Sequence, residues 1–414
     1  MEFSRPIVID PTGRDIHGEA ARIRERGPVA PVELPHGVPA WAVGSAPLLK
    51  RLLTDPRVSK DARRHWQRWN DGEVATDWPL YTWVAVRNMF TAYGTEHKRL
   101  RTLVSKAFTA RRTAALRPRI EEITAALLDR VAKAGSDGLT VDLREEFCYP
   151  LPIQVIGELL GLPEELGTEL RVVVDGVFHT SADATEVADI YARFYAVLGE
   201  LVAAKRAAPA DDLTSALISA HEEESGTRLS EQELLDTLML MISAGHETTV
   251  NLLDNAVHAL LTHPAQLAHV REGRASWDDV IEETLRAEAP VASLPLRYAV
   301  EDLPLRELGG PDDAVIHKGE AILAVYTAAG RDPEHHGPDA AVFDVTRASK
   351  DHLAFGYGVH HCLGAPLGRL EARVALPALF GRFPRLALAA PGDGLEPVDS
   401  FISHGHRSLP VLTG

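Results

Sequence analysis

Cys362, one of only two cysteines in the chain, lies in a glycine-rich segment just before a predicted helix. Gly356, Gly358 and Gly364 allow the backbone around it to turn tightly. Pro366 is well suited to the first turn of the helix that follows. A thiol at a helix N-terminus is stabilised as the thiolate by the helix dipole and by free backbone N–H groups. Such a sulfur could bind a metal or act as a nucleophile.

Three interpretations of this cysteine compete. The first is a buried, inert side chain. The second is a zinc site made by His360, His361 and Cys362. Three adjacent ligands converge poorly on one ion, and the sequence has no CxxC pair or second cluster, so zinc is disfavoured. The third is an axial thiolate on haem iron.

The loop resembles the haem-binding loop of the cytochrome P-450 family. Phe355, Gly358, Cys362 and Gly364 match its spacing at every position. The resemblance implies that Cys362 is the axial ligand of haem b, with backbone N–H groups of the loop bonded to its sulfur. A thiolate ligand donates electron density to iron and favours cleavage of the O–O bond of O2, the implied co-substrate.

A second motif, Ala-Gly-His-Glu-Thr-Thr at residues 244–249, lies in the middle of an apolar helix pattern. Glycine costs a helix up to about 1 kcal/mol there, and a buried acid is expensive unless it is paired or used. These choices indicate function, although polar residues in a buried helix can also be structural. By resemblance, Glu247 and Thr248 are the acid and hydroxyl that deliver protons to dioxygen, and Ala244 and Gly245 leave room for it.

The helix that carries this motif is predicted to be long and central. Ser230 and Glu233 form a capping-box signature, and helix-forming residues continue to about Thr262. Apolar side chains occupy every face of its first half, which is typical of a helix buried in the centre of a large protein.

Eight cations and no acid lie between residues 97 and 120, in a chain of net charge −16. They are Lys98, Arg99, Arg101, Lys106, Arg111, Arg112, Arg117 and Arg119. Such a set indicates either a solvated helix face or a nearby anion. The family resemblance implies that His97, Arg101, Arg297 and His352 bind the haem propionates. The remaining cations, on the face around 98–119, are expected to meet an acidic ferredoxin, which brings electrons from NAD(P)H through its reductase.

A Glu-x-x-Arg pair, Glu283 and Arg286, is three residues apart and therefore on one helix face. Taken alone, it would be a surface salt bridge. By resemblance it is the family's structural pair, which locks a buried helix to Arg347 near the haem loop. One departure from the family pattern is Gly330, which stands where the family usually has Asn and affects a structural turn.

Composition and patterning indicate one soluble globular protein. The chain has 414 residues, 43 basic and 59 acidic, with 45% hydrophobic residues. The acidic balance argues against nucleic-acid binding. Two cysteines, no signal peptide and no apolar stretch of membrane length favour a cytoplasmic protein without a membrane segment. We expect a single domain over residues 1–414 that is mainly α with a minor β part. The resemblance implies the family's triangular prism, with haem between the central helix and the cysteine loop. We also expect the protein to be a monomer.

The expected reaction inserts one oxygen atom from O2 into an apolar small molecule. The run from Trp83 to Gly94 resembles an actinobacterial subgroup tied to secondary metabolism and to oxidation of steroids, terpenoids, aromatics and polyketides; xenobiotic oxidation is a further role considered. The proposed pocket residues are Trp83, Phe178, Val291, Ala292, Leu294, Phe401 and Ile402, for each of which core packing is the alternative. Two rival functions are oxidative aryl coupling or cyclisation, and a non-enzymatic haem sensor or carrier.

Overall fold

The computed structural model describes residues 5–162, 167–180, 184–221, 226–390 and 394–414. Helices dominate these residues, and small sheets accompany them, which confirms the predicted fold class. The helices are α1 (Ile16–Glu25), α2 (Ala46–Leu52), α3 (Ala62–His65), α4 (Gln67–Asn70), α5 (Tyr81–Ala85), α6 (Gly94–Ala107), α7 (Ala110–Ala115), α8 (Arg117–Ala134), α9 (Pro150–Leu160), α10 (Gly167–Phe178), α11 (Ala184–Ala207), α12 (Leu213–Ser219), α13 (Glu231–Thr262), α14 (Pro264–Arg271), α15 (Trp277–Ala287), α16 (Tyr326–Gly330), α17 (Pro333–His336) and α18 (Ala365–Arg382).

The strands form three sheets in the described residues, the largest with the order β1-β2-β3-β9-β6-β4. They are β1 (Ile7–Val8), β2 (Val29–Leu34), β3 (Val38–Val43), β4 (Val58–Ser59), β5 (Val141–Asp142), β6 (Ser293–Ala299), β7 (Leu303–Pro304), β8 (Val315–Ile316), β9 (Ala321–Val325), β10 (Ala387–Leu388) and β11 (Pro410–Leu412). At one edge, β4 pairs antiparallel with β6 and sets Ser59 opposite Tyr298. This edge therefore brings the start of the 62–94 region beside the strand that contains Arg297.

Helix α13 is the predicted central helix. It begins at a complete capping box, in which Ser230 N donates to Glu233 Oε2 at 2.8 Å and Glu233 N donates back to Ser230 Oγ at 3.3 Å. Its 32 residues span about 48 Å. It packs against α9, α10, α15 and α18, and buried residues occur all around it. The pattern of apolar residues on every face correctly predicted this position.

Residues 62–94 are rich in aromatic side chains and contain the three short helices α3, α4 and α5. The carboxylate of Asp61 accepts a hydrogen bond from Arg64 N at 3.2 Å and so caps the first of them. Trp66 and Trp78 are each 1% exposed, and Trp66 stacks on Tyr298 with ring centres 5.2 Å apart. These two rings anchor the region to the sheet, so core packing explains part of its aromatic content.

No helix in the described ranges combines the length and apolarity needed to cross a bilayer. The side chains of the core divide between helices and sheet. The largest cluster lies around α8, α9, α13 and α18, and two smaller clusters flank the six-stranded sheet. The loop that contains Cys362 lies between these parts, because Phe355 packs against the helical cluster and Leu353 belongs to a sheet cluster.

Candidate active site

The cysteine loop is held by its own backbone. Cys362 N donates to the carbonyl of Phe355 at 2.8 Å, which closes the loop. Gly358 has φ +71°, and a Cβ on it would lie 2.6 Å from the carbonyl oxygen of Leu53, so only glycine fits there. Gly364 immediately precedes α18 as its N-cap. The turn and the helix start that the sequence predicted are therefore both present.

The sulfur of Cys362 is surrounded by donors and positive charges. The N–H groups of Gly364 and Ala365 donate to it, and the guanidinium groups of Arg101 and Arg369 lie near it. Cys362 has accessible surface, yet the protein around the sulfur still desolvates it. This burial raises the pKa of the thiol, and the donors and cations offset the rise only in part. A metal ion bound to the sulfur would stabilise its thiolate form.

Arg369 is a residue near the sulfur that the sequence analysis missed. Its guanidinium lies 4.5 Å from the centre of the Phe355 ring and donates to both oxygens of Glu282, at 2.6 and 2.8 Å. The same carboxylate pairs with His352 Nε2 at 3.0 Å. Its position seven residues after Cys362, about one turn into α18, was the available signal.

His352 does not join the predicted propionate group in this structure. Its Nε2 pairs with Glu282, and its Nδ1 accepts from Ala354 N at 3.2 Å. Both ring nitrogens are therefore engaged. His360, which was considered above only as a zinc ligand, lies in that group instead. Its ring centre is 4.1 Å from that of His97, and the charges of Arg297 and Arg101 contribute to lowering its pKa.

The residues of this group fit a dianionic group such as the haem propionates. His97 is 5% exposed and its Nε2 is buried without a hydrogen-bond partner, and the same holds for Nη1 of Arg297, also 5% exposed. Burial lowers the pKa of His97 to about 4, with a contribution from Arg101. Arg101 also donates to the carbonyl of His361 at 2.7 Å. Nη1 of Arg297 is a donor, and Nε2 of His97 is one in the tautomer protonated there, so the oxygens of a carboxylate would supply acceptors for both.

The zinc interpretation finds no support in the described residues. A compact set of metal-ligating atoms occurs there at His17, Glu288 and His404, where Arg331 also pairs with the Glu288 carboxylate, and not around Cys362.

The acid–hydroxyl motif lies beside the start of α18. A Cβ on Gly368 would be 3.5 Å from Oγ1 of Thr249, so α18 packs closely against the motif. Thr248 Oγ1 donates to the carbonyl of Ala244 at 2.7 Å, and Ala244 is exposed although its helix is buried. The space left by Gly245 lies elsewhere: a Cβ there would be 3.1 Å from Cδ1 of Ile156 in α9. Gly245 thus serves helix packing, and Ala244 is the small residue at the open side.

Glu247 points away from that open side into a buried polar network. It is 5% exposed, and its Oε1 lies 3.5 Å from Arg144 Nη2 and accepts from Asn251 Nδ2 at 2.9 Å. Arg144 also donates to Asn251 Oδ1 at 2.9 Å and lies 3.7 Å from Asp254. Burial raises the pKa of Glu247, and Arg144 and Asn251 counteract it in part. Arg144, in a π-helical turn at Arg144–Cys148, could not be foreseen from its sequence position.

A cavity of about 560 Å³ reaches Glu247 from the far side of α13. Polar side chains make up much of its wall, among them Arg144, Asp175, Ser403 and Arg407. Glu247 is among the residues that line this cavity, and Cys362 is not.

The Glu283–Arg286 pair is buried, not superficial. Both side chains have 0% exposure, and two hydrogen bonds of 2.7 and 2.8 Å join them. Arg286 also donates to the carbonyls of Gly330, Ala340 and Val342, and Arg347 Nε lies 3.7 Å from Glu283. A Cβ on residue 330 would lie 2.0 Å from the carbonyl oxygen of Arg286, so this close contact accounts for glycine there.

The candidate substrate wall is brought together by four chain segments. Trp83 Nε1 donates to the carbonyl of Val177 at 3.2 Å, and its ring meets Phe178 edge to face at 5.3 Å. Val291 bridges to Ser403, and the N–H of residue 292 donates to the carbonyl of residue 402 at 2.7 Å.

These side chains divide into two groups by exposure. Ala292, Phe401 and Ile402 are at most 2% exposed, so they support the wall from behind and do not face open space. Trp83, Val291 and Leu294 keep accessible surface, whereas Phe178 is 6% exposed.

The predicted basic face is smaller than the sequence suggested. Four of the eight cations form ion pairs with acids: Arg99 with Glu96 and Glu233, Arg112 with Asp211, Arg117 with Glu121, and Arg119 with Glu122 and Glu158. All six acids lie outside the 97–120 window. Glu96, Glu121 and Glu122 belong to the same helices as their partners, whereas Glu158, Asp211 and Glu233 reach them only in the folded chain. Lys98 and Arg111 remain on the exposed surface.

Comparisons with known proteins agree with this site. A family model described as cytochrome P450 matches residues 180–274 and 277–397. The chain is 44% identical over 410 residues to 2-hydroxy-5-methyl-1-naphthoate 7-hydroxylase of Streptomyces carzinostaticus, covering 98% of this chain and 97% of that protein.

Two solved structures share the fold. CYP154A1 of Streptomyces coelicolor A3(2) has a TM-score of 0.92 at 55% identity, covering 99% of this chain and 100% of that one. Testosterone-bound CYP154C4 of Streptomyces sp. ATCC 11861 has a TM-score of 0.93 at 44% identity, covering 99% of both chains. The chain therefore belongs to the cytochrome P450 family and is an oxidoreductase of that family.

Proposed function

We propose that this protein hydroxylates an apolar fused-ring metabolite, of the size of an aromatic polyketide or a steroid. The naphthoate hydroxylase and the testosterone-bound relative both act on or bind molecules with fused rings. The aromatic wall of Trp83 and Phe178 offers flat apolar contacts of the kind that such rings prefer. The observation that carries the proposal is the intact pair of Thr248 and Glu247, since a cavity with polar side chains in its wall reaches Glu247.

The residues assigned to the cofactor follow from the site. Cys362 would ligate haem b through its sulfur, and Arg101, Arg297, His97 and His360 would bind the propionates. When bound, the haem supplies the redox chemistry that cleaves the O–O bond of O2. The N–H groups behind Cys362 would lower the negative charge on the sulfur and so tune that chemistry.

Protons would reach the reaction through the chain's own side chains. Water in the 560 Å³ cavity can exchange protons with the Glu247 carboxyl. Thr248 Oγ1, which here donates to Ala244, can turn to hold a proton on the open side of α13. Two protons are needed for one oxygen atom to leave as water, so a fixed acid and hydroxyl speed the reaction.

Electrons would come from an acidic ferredoxin with its NAD(P)H-dependent reductase. The exposed Lys98 and Arg111, within the 98–119 segment, supply positive charge at the surface. Complementary charge speeds the encounter of the two proteins. This rate should fall as the ionic strength rises.

The test is product analysis with a ferredoxin, its reductase, NADPH and ¹⁸O₂, on ligands that shift the Soret band. Hydroxylation adds one labelled oxygen atom to the product. A product that has lost two hydrogen atoms would instead support oxidative coupling or cyclisation. No turnover with any bound ligand would support a haem sensor or carrier.

Thr248→Ala isolates the proton step, and Thr249→Ala is its matched control because Thr249 faces α18. Thr248→Ala should retain haem but divert reducing equivalents to peroxide. Thr249→Ala should keep product coupling near the wild-type value. Equal coupling in wild type and Thr248→Ala would reject the proton-relay role.

A further inference from the structure

Lys60 is a buried cation whose charge is not balanced in the described chain. It is 4% exposed, and among the described residues no carboxylate forms an ion pair with it. Its Nζ donates to the carbonyl of Pro295 at 3.2 Å and lies 3.6 Å from the centre of the Phe90 ring. A lysine ammonium has three N–H donors, so one carbonyl and one ring face satisfy it only in part. Burying such a group without an anion is costly.

The sheet places Lys60 beside a second unbalanced cation. Val58 and Ser59 of β4 pair with Ala299 and Tyr298 of β6, so the next residues in this antiparallel register are Lys60 and Arg297. Like charges opposite each other on paired strands destabilise a sheet. Nη1 of Arg297 is buried without a partner, as described above.

The electrostatics agree with this juxtaposition. Burial lowers the pKa of Lys60 well below its usual value, and Arg297 contributes in the same direction. The charge of Lys60 also contributes to lowering the pKa of His360, whose ring contacts that of His97. Lys60, Arg297 and the nearby Arg101 thus lie in one group of polar side chains with the imidazoles of His97 and His360.

We propose that Lys60 is an additional propionate-binding residue, which donates to the same haem carboxylate as Arg297. This inference rests on the proposed haem site. A propionate bound by both side chains would explain why the residue after β4, which lies opposite Arg297 in the antiparallel register, is a lysine. Two propionates carry two negative charges, and the group then gains the anion that its buried donors lack. Lys60 was absent from the sequence-based candidates because it lies 302 residues before Cys362.

The experiment measures haem release from the holoprotein to excess apomyoglobin. Lys60→Met should release haem about 10- to 100-fold faster than wild type, as expected for loss of a hydrogen bond to a charged group. Lys60→Arg should restore slow release, because it keeps a charged donor. Lys205→Met is the matched control, since Lys205 pairs with Asp212 at 2.6 Å in an ion pair that involves α11.

Two further readouts separate a propionate contact from a packing role beneath Phe90. The reduction potential of Lys60→Met should become more negative, because a positive charge near the haem is lost, and that of Lys60→Arg should not. In chains reconstituted with haem dimethyl ester, whose carboxylates are blocked, wild type and Lys60→Met should release the ester equally fast.

The outcomes distinguish this inference from the proposed function. If wild type retains no haem, the proposed function fails. If wild type retains haem and Lys60→Met releases it at the wild-type rate, Lys60 is not a propionate ligand. Faster release that persists with the dimethyl ester would equally overturn the inference and assign Lys60 to packing.

Discussion

Replacement of Arg144 by methionine tests the buried network behind the Glu247–Thr248 motif. Arg144 is the cation that lies 3.5 Å from Glu247 and 3.7 Å from Asp254. Methionine keeps an apolar stem of similar length and removes the charge. The variant should therefore leave two buried carboxylates without this shared cation.

The structure sets the size of the effect. At 3.5 Å, an effective dielectric constant of about 20 gives about 5 kcal/mol of attraction between Arg144 and Glu247. Desolvation of Arg144 cancels part of this. Removing one partner of a buried ion pair typically costs about 3–5 kcal/mol, and we expect a loss of unfolding free energy in that range at pH 7.5.

The loss should depend on pH with a definite sign. Burial already raises the pKa of Glu247; for Asp254 burial acts in the same direction, but the bond to His406 and the charge of Arg144 lower its pKa overall. Without Arg144 both pKa values rise. A carboxyl group whose pKa is higher in the folded than in the unfolded state destabilises the fold only at pH values where the unfolded carboxyl is ionised. The loss of unfolding free energy in Arg144→Met should therefore become smaller as the pH falls towards about 4.5.

The assay is urea unfolding of the holoprotein, followed by far-ultraviolet circular dichroism and by the Soret band, at pH 7.5 and pH 5. Arg130→Met is the control, because Arg130 makes a 2.8 Å pair with Glu146 on the surface, where such pairs contribute less than about 1 kcal/mol. Equal losses in the two variants, or a loss from Arg144→Met that does not change with pH, would refute the reasoning.

Three other predictions concern the cofactor and the fold. Cys362→Ser should remove the red-shifted Soret band of the reduced carbon-monoxide complex, because the shift requires a thiolate ligand; a spectrum like that of wild type would exclude Cys362 as the ligand. Glu283→Gln should lower the unfolding free energy by about 3–5 kcal/mol in urea titrations, since Arg286 stays buried with an uncompensated charge. His360→Ala should release haem about tenfold faster than His352→Ala in transfer to apomyoglobin, because His352 is already bonded to Glu282; the reverse order would restore His352 to the propionate group.

The sequence was most informative where a local pattern was sufficient. The capping box at Ser230 and the apolar residues on every face correctly predicted α13 and its burial. The glycines around Cys362 correctly indicated the turn and the helix start. Both signals arise from residues a few positions apart, whose backbone preferences act before any tertiary contact forms.

Local patterns were less reliable where the partner lies far along the chain. The cations of 97–120 formed an apparent basic face, but acids distant in the sequence pair with three of the eight, Arg99, Arg112 and Arg119. The sequence analysis assigned His352 to the propionates and His360 only to a zinc alternative, but in the fold Glu282 pairs with His352, whereas the ring of His360 contacts that of His97. Gly245 was expected beside oxygen, whereas a Cβ on it would lie against the side chain of Ile156 in α9.

The sequence by itself determined the family, the fold class, the long central helix and the motifs that contain Cys362, Glu247 and Thr248. Each depends on spacing within one segment, and such spacing fixes local backbone geometry. Only the tertiary structure decided which charges meet: Arg144 with Glu247, Arg369 near Cys362, and Lys60 beside Arg297. Electrostatic energy depends on distance in space and on burial, and neither can be read from separation along the chain.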